Sequence, residues 1–181
     1  MDGMGIEPAP SKSITKVERK SARELVVRRT FDGPVHIVFE AWTKPELLRR
    51  WWAPKSVGIS FLSCEVDART GGTYRLVFGH PASDQPMAFF GRYIEVIPPS
   101  RLVWTNEEAG EGGSVTTVTF EASGSGTLVV LHDLYPSKEA LDGALASGSA
   151  GIDESGTGGY GETFKQLDDL LVVLDAGMAR A

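Results

Sequence analysis

Along the chain the apolar positions change period twice. Glu24-Leu-Val-Val-Arg-Arg-Thr-Phe31 is rich in β-branched residues and reads as a strand. Asp32-Gly33 turns the chain, and Pro34 suits the first position of a helix. Val35, Val38, Phe39 and Trp42 then recur at the spacing of one helical face. Thr43-Lys-Pro-Glu46 has the form of a capping box for a second short helix, with Leu47, Leu48, Trp51 and Trp52 as its apolar positions and Pro54 as its stop. From there the pattern is that of six strands, at 59–67, 72–78, 87–97, 101–106, 114–122 and 127–134, with residues 79–86 read as a loop and Ser123-Gly-Ser-Gly126 as a tight hairpin connection. Short connections imply an antiparallel sheet. The helical period returns over 137–146, where Ala140, Leu141, Ala144 and Leu145 share a side. It returns again over 162–175, where Tyr160, Phe164, Leu167, Leu171 and Leu174 mark one apolar face. That last stripe must be covered, and only a face of the sheet offers enough apolar surface. The fold class is α+β.

Composition narrows the picture. A chain of 181 residues suits one domain, read here as 23–176, flanked by a tail over 1–22 and a short tail over 177–181. The single cysteine, Cys64, excludes an intrachain disulfide framework and fits a reducing, cytoplasmic setting. No apolar run is long enough for a membrane span, and residues 1–14 lack the basic-then-apolar order of a signal peptide. Charge is uneven: residues 105–181 hold three Lys/Arg against thirteen Asp/Glu, which argues against a nucleic-acid surface there. Seven of the 21 glycines lie between Gly143 and Gly161, just before the last helix.

A set of short motifs stands in order along the chain. They are Arg29-Thr-Phe-Asp-Gly-Pro34, Ala41-Trp-Thr-Lys-Pro45, Arg50-Trp-Trp-Ala-Pro54, Cys64-Glu-Val-Asp-Ala-Arg69 and Gly71-Gly-Thr-Tyr-Arg75. Gly91-Arg-Tyr-Ile-Glu95, Pro98-Pro-Ser-Arg-Leu102 and Gly159-Tyr-Gly-Glu162 follow. Together with the element order they resemble the SRPBCC (START-like) superfamily, and within it bacterial proteins similar to the C-terminal domain of the heat-shock protein 90 ATPase activator. The resemblance covers roughly residues 24–174. It implies a helix-grip fold, a curved antiparallel sheet wrapped around a long C-terminal helix, with an internal cavity for a small hydrophobic molecule. It leaves two other functions open: a cavity-based enzyme of the polyketide cyclase or hydrolase type, and a chaperone cofactor that stimulates a heat-shock ATPase. The segment 147–159 looks longer than in relatives, at what would be the cavity mouth.

The residues supply candidates for such a cavity. Trp42, Trp51 and Trp52 either line it or pack as core, and adjacent Trp51 and Trp52 cannot share one helical face. On the strands, Tyr74, Leu76 and Phe78 share a face by parity, as do Phe89 with Tyr93, and Val118 with Phe120. Phe61 and Trp104 complete this set. From the last helix, Phe164, Leu167 and Leu171 are expected to face it. Phe90, Ile94 and Val96 form a second apolar set, so parity leaves the inward face open and points to a further covered surface or contact with a second copy. Val130 and His132 share a face on the last strand. If it points inward, His132 is a candidate acid, base or hydrogen-bond donor. Glu65 and Asp67, with Arg69 and Arg75, read as an ion-pair network at a turn or a polar anchor in the cavity. No metal-ligand spacing, nucleophile elbow or dinucleotide loop is present, so no cofactor or metal is expected.

Overall fold

In the computed structural model, which describes residues 15–108, 110, 112–146 and 159–178, the chain opens with strands β1 (Lys16–Arg19) and β2 (Glu24–Phe31). Helices α1 (Val35–Thr43) and α2 (Pro45–Leu48) and a 3-10 turn at Lys55–Val57 come next. Six strands follow: β3 (Ser60–Val66), β4 (Thr73–His80), β5 (Ser83–Ile97), β6 (Arg101–Thr105), β7 (Val115–Ser123) and β8 (Gly126–Leu134). Helices α3 (Lys138–Ala146) and α4 (Gly159–Met178) close the fold. The eight strands make one antiparallel sheet in the order β1-β2-β8-β7-β6-β5-β4-β3. Only β2 to β3 is a long connection, and α1 and α2 fill it. They carry the chain across one face of the sheet, α1 over β7 and β8 and α2 against β3.

That face holds the core. Leu76, Phe78, Leu102, Val118, Phe120, Val129 and Leu131 are buried on the strands, against Val38, Phe39, Trp42 and Trp51 and, from α4, Phe164, Leu167 and Leu171. A smaller cluster forms where Leu25 meets Leu141 of α3. The helix-grip arrangement follows from amphipathic α4 having one large apolar surface to cover.

Several expectations need correction. Residues 16–19 are not tail: β1 pairs with β2 from Lys16↔Arg28 to Arg19↔Leu25. Four largely exposed residues carry little strand signal, and it is the open edge of β2 that orders them. Residues 1–14 of the expected tail lie outside the described residues, as do 179–181, whereas 177 and 178 belong to α4. Residues 79–86 are mostly strand, because β4 and β5 form a hairpin that turns between His80 and Ser83. Pro86 is accommodated at an irregularity in that ladder, where no backbone N–H is demanded. Thr43 does not cap α2. Its hydroxyl donates back to the Phe39 carbonyl at 3.0 Å, and Lys44 takes the cap position. Pro34 sits one residue earlier than expected, as the N-cap of α1. The glycine-rich segment 147–158 lies outside the described residues.

At Gly91, opposite Tyr74, β5 passes close to the start of the β6–β7 connection. A Cβ on Gly91 would lie 1.9 Å from the Thr105 carbonyl oxygen, so backbone must shift to admit one. Gly91→Ala is therefore expected to destabilise by about 1–3 kcal/mol in urea unfolding. A loss below about 0.5 kcal/mol, the range of neutral surface changes, would show that the strands separate freely here.

Candidate ligand cavity

The sheet's inner face and the helices do not close completely on one another. Between them lies a cavity of about 670 Å³, bounded by β4–β8, by α1 and the segment after α2, and by residues of α3 and α4. Trp42 of α1 is part of its wall and the hub of an aromatic cluster. The Trp42 ring lies 4.8 Å from that of Trp51, 5.8 Å from Trp52, 6.2 Å from Trp104 and 6.1 Å from Phe164. The two adjacent tryptophans diverge as helical geometry requires. Trp51 is wholly buried and its indole N–H donates to the Ala41 carbonyl at 2.8 Å, whereas Trp52 is half-buried and lines the cavity.

Other expected residues divide the same way. Tyr74, Leu76 and Phe78 of β4 line the cavity, with Phe89 and Tyr93 of β5. Trp104 and Phe164 join them from β6 and α4. Trp51, Val118, Phe120, Leu167 and Leu171 sit behind this lining as core. Phe61 is half-buried on edge strand β3, with its ring 4.4 Å from that of Phe78. Val130 and His132 are corrected: they face away from the cavity. Alternate residues of β8 point to opposite faces, and it is Val129, Leu131 and Asp133 that turn inward. His132 instead places Nε2 3.0 Å from Glu24 Oε1 on β2, and this hydrogen bond holds the Glu24 carboxyl below its usual range. Glu65 and Asp67 are exposed. Asp67 pairs with Arg69 at 2.9 Å beside the Gly71-Gly72 turn, so neither anchors the cavity. Arg75 lies over the Phe90 ring on the outer face. Burial pushes the Cys64 thiol pKa up, which favours the unreactive protonated form.

A polar chain that the sequence did not reveal runs across the wall. Asp133 and Thr116 are register partners on β8 and β7 and are both buried. The Thr116 hydroxyl donates to Asp133 Oδ1 at 2.6 Å, and Asn106 Nδ2 donates to Thr116 Oγ1 at 2.9 Å. The Trp104 indole N–H donates to Asn106 Oδ1 at 3.3 Å. The Tyr74 hydroxyl donates to the Thr105 carbonyl at 2.7 Å. Burial raises the phenol pKa of Tyr74 and Tyr93 far above the usual range, so both remain neutral. The only sequence signal for this chain was the alternation of Val129, Leu131 and Asp133, which places one carboxylate on an apolar face.

A second unforeseen feature ties α4 to the segment bordering the cavity. Gln166 Nε2 donates to the carbonyls of Trp51 at 2.9 Å and Ala53 at 2.8 Å, while its Oε1 accepts from the Lys55 N–H at 2.9 Å. One turn earlier, Glu162 accepts from the Ser56 N–H and hydroxyl at 2.8 and 2.5 Å. The turn 51–56 thus owes its position to two side chains of α4 about 110 residues away. Among the described residues no group of His, Cys, Asp and Glu is arranged to hold a metal, and no helix is long and apolar enough to cross a membrane.

Comparison with known proteins agrees with this architecture. The sequence profile described as activator of Hsp90 ATPase homolog 1-like protein matches residues 32–172. The chain belongs to that family. The match takes in every cavity-lining element from α1 to α4. Solved structures from bacteria share the family fold. A crystal structure of a Rhodobacter sphaeroides protein superposes with a TM-score of 0.76 at 24% identity, over 89% of this chain and 99% of that one. For a Nitrosomonas europaea protein the TM-score is 0.73 at 24% identity, over 87% and 99%. An AHSA1-like protein from Aeromonas hydrophila, solved in solution, gives 0.61 at 18% identity, over 85% and 93%. No curated protein matches the sequence.

Proposed function

We propose that the chain binds a small, largely apolar molecule inside the cavity. The observation that carries this reading is the cavity itself. At about 670 Å³ it falls within the size range of small-molecule sites, and aromatic and aliphatic side chains line it with a few polar groups on one wall. The family resemblance implies the same use of the fold.

The test is mass spectrometry of the natively purified chain together with a thermal-shift screen of apolar compounds. A ligand present at about 100 times its Kd stabilises by roughly 2.7 kcal/mol. For a chain of this size that corresponds to a rise in midpoint of roughly 5–10 °C. A midpoint unmoved by every compound, with no co-purified species, would remove the reading.

A further inference from the structure

The chemistry of the lining narrows the ligand, and this step rests on the cavity reading above. Nine aromatic side chains contribute to the lining, and its charged members are Asp133 and Glu108, both acidic. Among the described residues no Lys, Arg or His lines the cavity. Asp133 is buried on β8, with Oδ1 accepting from the Thr116 hydroxyl, whereas Glu108 is exposed. Trp104 and Tyr74, whose rings lie 6.5 Å apart, stand on the same wall as the Asn106–Thr116–Asp133 chain. Residues 105–181, which contribute Glu108, Asp133, α3 and α4, hold thirteen acidic residues against three basic ones.

We infer that the cavity selects a ligand whose apolar body carries a protonated amine, and that it discriminates against carboxylates such as fatty acids. A cation in such a site has aromatic faces to lie against and a fixed carboxylate to accept its N–H groups. A carboxylate ligand would instead bring like charge beside buried Asp133, where screening is weak, and would pass solvent-exposed Glu108. The acidic half of the chain adds a favourable field for the approach of a cation and an opposing one for an anion.

Calorimetric titration of the full chain at pH 7 with matched probes tests this. One set shares a naphthyl body: 2-(1-naphthyl)ethylamine, 2-(1-naphthyl)ethanol and 1-naphthylacetate. A second shares a decyl body: decylamine, decanol and decanoate, each below its aggregation concentration. The amine is expected to bind at least about tenfold more tightly than the carboxylate of the same body. Asp133→Asn is expected to shrink that ratio at least about fivefold while the alcohol's Kd stays within about twofold. Should Asp133→Asn fail to fold, the wild-type ratio and exposed Glu108→Gln, expected to shrink it to a smaller degree, carry the test. A carboxylate that binds as tightly as the amine, or a ratio unchanged in Asp133→Asn, overturns the inference. If all three probes of one body bind equally, the cavity reading stands and the amine preference falls. If neither body binds in any form, both fall.

Discussion

Trp51→Ala is expected to lower the stability of the fold by about 3–5 kcal/mol, the cost typical of deleting a fully buried aromatic side chain. Trp51 has no exposed surface, and its ring packs edge-on against Trp42 at 4.8 Å and Trp52 at 5.3 Å. Truncation removes that burial and leaves the Ala41 carbonyl without the indole N–H. It also opens a void next to one that already exists. Surrounding side chains therefore have less to collapse onto, which places the cost toward the upper end of the range. Chemical unfolding gives the measurement, and a loss under about 1 kcal/mol, an ordinary single-site effect, would show that Trp51 is not an organising residue of the core. Trp51→Phe separates the two contributions. It keeps most of the apolar contact and loses the donor, so its cost is expected to stay nearer about 1–3 kcal/mol, the price of an unsatisfied buried acceptor.

The second large effect concerns the ion pair that joins α4 to the sheet. Arg29 projects from β2 with a side chain only 3% exposed, and its Nη2 bonds to Asp168 of α4. Nη1 donates to the Thr15 hydroxyl at 2.9 Å, Nε has no partner, and the guanidinium lies 5.4 Å from the centroid of the Phe31 ring. Asp168→Ala leaves a buried cation with one neutral acceptor and is expected to cost about 3 kcal/mol. This is the low end for such pairs, because the Asp168 side chain retains 30% exposure. The double variant Arg29→Met, Asp168→Leu is expected to recover most of that loss, since hydrophobic replacement of a whole buried pair is often neutral. A double variant as unstable as the sum of the two singles would show that the residues act independently.

How far the sequence discloses this molecule depends on the range of each signal. β2 was legible to its terminal residues and α4 along most of its length, because both are written in local periodicity. The six later strands were legible to within a few residues for the same reason. The inward face of β8 was not. Leu128, Val130 and His132 alternate as regularly as Val129, Leu131 and Asp133, and only packing against α1 and α4 decides between them. β1 carries no local signal of its own, because its order comes from the edge of β2. Asn106, Thr116 and Asp133 become one chain only after the β6–β7 and β7–β8 registers are set. Gln166 reads as an ordinary polar helix position until its partners at Trp51, Ala53 and Lys55 are known. Of the aromatic candidates, local pattern separated Trp51 from Trp52 but did not distinguish lining residues from the core behind them.

The pairing of β2 with β8 also has a consequence in time. Glu24 and His132, bonded across that pair, are 108 residues apart. A ribosome adding about 5–20 residues per second reaches the second strand roughly 5–20 s after the first. Throughout that interval the Leu25-Val-Val27 segment has emerged without the strand that will cover one edge of it, and an uncovered apolar strand is a site for unwanted association. β1, bound to the opposite edge, is the one neighbour available from the outset. Until β8 is made, β1 can pair with only one edge of β2, and the other edge stays open for the whole of that interval.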